Sequence, residues 1–273
     1  MTKLRGFLLL LISIPVFILL LWLVALPDSI IKTTIEDFIS NNAGHNITAS
    51  INGLKKGVFF TLYADNFELK KEKTTLNEPS AILRITDISA KINPLYLLKK
   101  QLAFSVRAKM GTGDIEGSFK LPVGTTRFRE GSSLKIERAE INAIPHLQAV
   151  GFKGSGLISA NLNLKNNIVD ITFETSNAEI NNLARGLPLP LNSFQAIQGA
   201  LQFEGNTIKV TSISLEGDKG YARLKGDINN GVMNLTLELM PLTDKLKPVE
   251  MMLISRYQIS PGYYVVPIEG PLL

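Results

Sequence analysis

Cysteine is absent from the 273 residues, and histidine occurs only twice. Without cysteine there is no disulfide scaffold, no thiol nucleophile, no iron–sulfur centre and no Cys-ligated zinc. The two histidines, His45 and His146, have no carboxylate or second histidine at ligand spacing, so little metal-binding or acid–base capacity remains. Charge is also sparse. Asp, Glu, Lys and Arg make up 19% of the chain, against roughly 25% in ordinary soluble domains. With 45% apolar residues, a disordered chain is excluded. The net charge is +5, and Lys3 and Arg5 supply two of those charges. The remainder shows no clustered Lys/Arg face of the kind nucleic acid requires. The sequence therefore predicts no nucleic-acid partner, no metal and no cofactor.

What the chain does have is one long apolar run. Residues 7–26 read FLLLLISIPVFILLLWLVAL, without a charge. Twenty helical residues span about 30 Å, the hydrocarbon thickness of a bilayer. Phe7, Leu8, Leu10, Phe17 and Leu26 supply apolar surface. Pro15 removes one backbone donor, which a membrane helix tolerates. Trp22 lies toward the distal end, where an amphipathic ring suits the headgroup level. The run is longer than a signal-peptide core, and no A-x-A-like site follows it, so an uncleaved anchor is expected. Lys3 and Arg5 precede the run, while Asp28, Lys32, Glu36 and Asp37 follow it. The positive-inside rule then places the N-terminus in the cytoplasm and the bulk of the chain across the membrane, as a single-pass protein.

After Pro27 the pattern becomes that of one amphipathic helix over 28–43, with Asp28 as N-cap and Gly44 as its stop. Ile30, Ile31, Ile35, Phe38 and Ile39 share one face. That stripe must be covered by the bilayer interface or by the end of the following structure, and the second is the favoured expectation.

From residue 46 the period changes to two. Leu102, Phe104 and Val106 alternate with Ala103 and Ser105. Ile158, Leu162 and Leu164 alternate with Ser159, Asn161 and Asn163, and Met233, Leu235 and Leu237 with Asn234 and Thr236. Such alternation predicts half-buried strands with one wet face. Ile208 and Val210 are out of phase with Ile213 and Leu215, which predicts a bulge. Asn166-Asn167, Gly205-Asn206 and Asn229-Asn230-Gly231 are hairpin turn signals. Residues 95–101 read as a short helical interruption after Pro94, 183–198 as a loop and turn, and 241–250, bearing Pro241 and Pro248, as a linker. Roughly a dozen strands at this spacing predict a mainly β, antiparallel meander. With one soluble helix available, its apolar face closes as a sandwich, as a barrel, or as a long curved taco-like sheet that keeps an apolar trough. Leu102, Phe104, Val106, Ile158, Leu162, Leu164, Met233, Leu235 and Leu237 are the candidate lining of such a trough. In a sandwich the same residues form ordinary core.

No catalytic constellation emerges. Gly111, Gly113 and Gly117 have the spacing G-x-G-x-x-x-G between strands, not the helix start that holds a pyrophosphate. Ser155 lies between glycines but outside G-x-S-x-G. The Lys pairs at 55–56, 70–71 and 99–100 read first as guards of sheet edges and loop ends, and second as contacts to anionic headgroups.

The order of anchor, amphipathic helix and Gly-containing first strands, ITASINGLKKGVFFTLYADNFEL at 47–69, resembles the opening of AsmA-like proteins. So does ISAKINPLYLLKKQLAFSVRAKMGTGDIEGSFKL at 88–121. GLPLPLNSFQAIQGALQFEGNTIKVTSISLEGDKGYARLKGDI at 186–228, LTLELMPL at 235–242 and GYYVVPIEGPLL at 262–273 resemble the type II secretion system protein N family. This resemblance covers nearly the whole chain. It implies a cytoplasmic tip and inner-membrane anchor over 1–27, a helix over 28–45, and a periplasmic β domain over 46–273. It implies a non-enzymatic accessory of the type II secretion system that contacts other secretion subunits. The AsmA-like side of the resemblance implies an alternative, a protein that holds phospholipid acyl chains in a β groove.

Overall fold

Two-residue alternation leaves each strand with one apolar and one wet face, and antiparallel pairing of neighbours then builds one two-faced sheet. The computed structural model of the chain describes residues 20–43, 46–71, 80–125, 127–144, 153–182 and 195–271. After helix α1 (Asp28–Asn42) the strands are β1 (Ile47–Asn52), β2 (Lys55–Gly57), β3 (Thr61–Lys71), β4 (Ser80–Asn93), β5 (Gln101–Met110), β6 (Gly113–Pro122) and β7 (Ser133–Glu140). They continue with β8 (Lys153–Lys165), β9 (Ile168–Asn182), β10 (Ala196–Glu204), β11 (Thr207–Gly217), β12 (Gly220–Asn229) and β13 (Val232–Pro241). Helix α2 (Pro248–Ser255), β14 (Gln258–Ser260) and β15 (Tyr263–Pro271) complete the chain.

All these strands belong to one antiparallel sheet in the order β1-β3-β4-β5-β6-β7-β8-β9-β10-β11-β12-β13-β15-β14, with β2 also on β3. The sheet is open. A two-sheet sandwich and a closed barrel are therefore both overturned; the long single sheet stands. β1 and β2 run end to end along the same side of β3, with registers Asn52↔Asn66 and Lys55↔Tyr63. Between them Gly53 takes a φ of 68°, a left-handed kink that suits a residue without Cβ.

The expected bulge is present: the β11–β12 register shifts between Val210 and Ile213. Further shifts fall at Thr86/Ser89 and Ile136/Ala139, where Asp87 and Arg138 have positive φ. Such bulges bend their strands and raise local twist.

Three expectations are corrected. Pro27, not Asp28, is the N-cap of α1, and no side chain caps it; Asp28 is the first helical residue. The stretch around Pro248 is not a linker. It carries a 3-10 turn at Thr243–Lys245 and then α2. Pro248 opens α2 because the first helical N–H needs no partner, and Glu250 accepts from the backbone N–H of Lys247 at 2.9 Å. Third, Ala196, Ile197 and Gln198 already belong to β10; residues 183–194 lie outside the described ones.

Among the described residues no helix is long and apolar enough to cross a membrane. Most of the run 7–26 lies outside them, including Phe7, Leu8, Leu10, Pro15 and Phe17, as do Lys3 and Arg5. Residues 20–24 are helical.

α1 closes the sheet at its first edge. It runs beside β1, where the backbone N–H of Ala49 donates to Ser40 Oγ at 2.9 Å and that of Ile51 donates to Glu36 Oε1 at 2.6 Å. Edge donors that would otherwise template another chain are thereby satisfied. Ile31, Ile35 and Ile39 are half-buried, whereas Ile30 and Phe38 remain exposed. At the other edge β14 has three residues, too few to present a long free ladder.

Candidate functional site

Each of the nine candidate lining residues falls on the apolar face, and the registers align them into rows that cross the sheet. One row runs Ala90, Val106, Gly117, Leu134, Leu162, Ile171, Leu201, Val210, Gly226, Leu235 and Ile268, one residue per strand from β4 to β15. A parallel row begins at Ala108 and Ile115 and ends at Leu237 and Val266. Cross-strand apolar neighbours of this kind are the unit of sheet stabilisation.

Burial along this face is graded. Toward one set of strand ends, Ala139, Leu215, Ala222, Leu239 and Tyr264 are fully buried. Ile254 of α2 and Ile141, in the 3-10 turn after β7, join the cluster formed by Leu215, Ala222, Leu239 and Tyr264, while Ala139 belongs to a second cluster with Ala108, Met110 and Ile115. Ile141 is clustered with Ile197 and Leu215 of β10 and β11, so the chain after β7 folds back over the face. Toward the opposite strand ends, Leu102, Phe104, Leu164, Phe203, Ile208 and Met233 are only half-buried. Phe104 and Phe119 stack there with centroids 5.2 Å apart. The face is thus a packed core at one end, and at the other a mixture in which buried Leu121 and Ile228 stand among half-buried apolar neighbours.

The wet face is tied by ion pairs. Glu238 hydrogen-bonds Lys225, and this holds its carboxyl below the ordinary glutamate value against the opposing effect of burial; the Tyr263 hydroxyl and Arg223 add to the lowering. Glu68 is lowered chiefly by Lys70, again against burial, and then by Arg84, whose Nε lies 2.8 Å away. Away from that face, Glu250 of α2 is lowered by Lys219 at 2.7 Å and by the Lys247 backbone N–H. A depression of about 450 Å³ on the wet face is lined mainly by polar residues such as Ser159, Asn161, Thr172 and Glu174. Among the described residues, no group of three or more His, Asp or Glu is placed to hold a metal. Gly111 and Thr112 form the turn between β5 and β6, and Gly113 and Gly117 lie in β6. Ser155 lies in β8, and both histidines fall outside the described residues.

The junction with the N-terminal run is built by Trp22, expected at the headgroup level, and by Lys56 of the first lysine pair, together with Gly57 and Phe60, which the sequence did not single out. Trp22 is buried; its Nε1 donates to the Gly57 carbonyl at 3.1 Å, and its ring lies 5.5 Å from that of Phe60. Lys56 Nζ donates to the carbonyls of Trp22 at 3.2 Å, Leu23 at 2.9 Å and Leu26, and lies 3.7 Å from Asp28. A cation on the last carbonyls of a helix satisfies orphan acceptors and opposes the dipole. Leu26 itself is exposed. The Lys55-Lys56 pair was the available signal, but a pair of lysines does not reveal which carbonyls one of them will meet.

Comparison with protein-family models, characterised proteins and solved structures finds no match to this chain.

Proposed function

We propose that this chain is a non-enzymatic, membrane-anchored component of the type II secretion machinery, held in the inner membrane by residues 7–26 with its sheet in the periplasm. The observation that carries the reading is the mounting of the sheet. Trp22 and Lys56 fasten the end of the N-terminal run to the β2–β3 hairpin, and α1 then continues along β1. A sheet fixed in this way presents its faces and its β14 edge at a set distance from the membrane, which suits a part that positions other subunits. Among the described residues the least exposed carboxylates are Glu68, paired with Lys70 and Arg84, and Glu238, paired with Lys225, which is a structural use of a carboxylate. The test is deletion of the gene in its host. Accumulation of exported proteins in the periplasm, restored by the full chain, is expected. Normal secretion in the deletion strain would overturn the reading.

The graded apolar face favours a second reading, in which the sheet shields phospholipid acyl chains. A row of apolar and glycine residues that continues across eleven strands, with Val106, Leu134, Leu162, Ile171, Leu201 and Ile268 half-buried, offers an alkyl chain a contact surface. In this case phospholipid co-purifies with the protein, and Leu162→Glu abolishes it while circular dichroism stays β-type. Lipid retention by the Leu162→Glu protein would remove this reading.

A further inference from the structure

Three connections at one set of strand ends are joined by backbone hydrogen bonds: the β2–β3 hairpin, the 3-10 turn Pro94–Lys99 and the β6–β7 loop. The N–H of Ile92 donates to the Phe60 carbonyl at 2.9 Å, and that of Val123 to the Lys100 carbonyl at 3.0 Å. This rim is apolar and exposed. Val58, Phe59, Leu95, Leu97, Leu98 and Val123 all face solvent, with Leu98 at 85% and Phe59 at 68% of full exposure. Phe59 and Phe60 both take left-handed φ, 56° and 59°. A bulky residue there is a conformational outlier, and such strain collects at working sites. Here it turns Phe60 onto Trp22 and leaves Phe59 projecting.

The charge on the rim has one prevailing sign. Lys55, Lys99, Lys100, Arg127 and Arg129 are exposed there; Glu130 lies among them and Asp28 beside them, 3.7 Å from Lys56. The same strand ends change character farther along the sheet. The turns at 166–167, 205–206 and 229–231 consist of Asn and Gly. Adjacent strands in a sheet rotate by roughly 20–25°, so only a limited run of strand ends can lie on one plane. The apolar, basic stretch is confined to the strands nearest the N-terminal run, and that run meets this rim at Trp22–Gly57.

We propose that this rim is a membrane-docking surface, seated on the anionic phospholipid bilayer that holds residues 7–26. The inference rests on the anchored reading above. Apolar side chains at the tips enter the headgroup–acyl boundary, and the lysines and arginines meet lipid phosphates. The half-buried end of the apolar sheet face opens toward these same strand ends, so the docked rim brings that face against the bilayer.

Because the chain has no cysteine, single probes can be placed cleanly. Full-length Phe59→Cys, Leu98→Cys and, as controls, Asn206→Cys and Thr112→Cys proteins are labelled with an environment-sensitive dye. Each is reconstituted into nanodiscs of phosphatidylethanolamine and phosphatidylglycerol. Probes at 59 and 98 should emit at shorter wavelength and be quenched by headgroup spin-labelled lipid, and those at 206 and 112 should not. Adding Lys99→Glu and Lys100→Glu should reduce quenching at 59 at low salt, with the difference shrinking as salt rises. A protein that stays in the disc with 59 and 98 unquenched overturns the docking rim and leaves the anchor standing. Shielding of 59 and 98 by cross-linking between copies overturns it in favour of self-association. Loss of protein from the disc fraction, read separately, overturns the anchor and the rim with it.

Discussion

Trp22 gives its indole proton to the carbonyl of Gly57, 35 residues later in the chain, at 3.1 Å. This contact ties the described end of the N-terminal run, residues 20–26, to the sheet domain. Trp22→Phe keeps the ring against Phe60 and leaves the Gly57 carbonyl without its donor; a loss of about 1 kcal/mol is expected. Trp22→Ala also removes the buried ring, and a loss of about 3–5 kcal/mol follows. Urea unfolding of the full chain in detergent, read by β-type circular dichroism, measures both. Equal midpoints for the two variants and the parent protein would show that the contact does not stabilise the domain.

The α1–β1 contact should behave differently, because it guards an edge as well as stabilising a fold. Glu36→Ala and Ser40→Ala each remove one acceptor, at about 1 kcal/mol apiece, and free the N–H groups of Ile51 and Ala49. Hydrogen exchange at those two amides should quicken selectively. The double variant should also self-associate at concentrations where the parent is monodisperse, since an exposed edge strand templates pairing. Unchanged exchange at Ala49 and Ile51 would mean that the helix lies against β1 without satisfying it.

How much of this was legible depends on which residues carried it. Met233, Leu235, Leu237 and Leu239 spell their strand outright, and the Asn166-Asn167 turn shows the positive φ at both residues that the pair suggests. The phase change between Val210 and Ile213 predicted a bulge, and the register shift falls between those two residues. Sheet number was not legible: alternation fixes which face a side chain takes, not whether that face meets a second sheet. α2 was hidden because Pro241 and Pro248 look alike in sequence, although Pro248 starts a helix and Pro241 ends a strand. Nothing in GVFFT announces a hairpin whose loop residues include two left-handed phenylalanines, because turn chemistry favours Asn and Gly there. The Lys56 contacts form only once the sheet has folded.

Acid should weaken the domain through its wet face. Glu238 and Glu68 have folded-state values below the ordinary 4.5. A depressed carboxylate contributes stability that is present above the unfolded value and lost as pH falls through the folded one. Stability should therefore hold from neutrality down to about pH 4.5 and decline below it. Glu238→Gln should lower stability at neutral pH, where Lys225 loses its partner, and flatten the decline in acid. Urea midpoints measured across this range decide the matter. A decline equally steep in the variant would show that Glu238 does not carry this pH dependence.

Burial graded along the strands separates core from accessible surface at residues of one type. Leu239 is 2% exposed within the cluster that includes Ile254 and Tyr264, so Leu239→Ala should cost about 2–5 kcal/mol through lost burial and a residual cavity. Leu164, on the same face near the other strand ends, is half-buried. Its truncation leaves no enclosed void and should cost no more than about 1 kcal/mol. Unfolding midpoints of the two alanine variants test the gradient directly. Similar large losses would mean that the face is core along its whole length, with no accessible apolar surface for a lipid to occupy. A large loss at Leu239 beside a small one at Leu164 would leave the half-buried end free to bind an alkyl chain without unfolding the sheet.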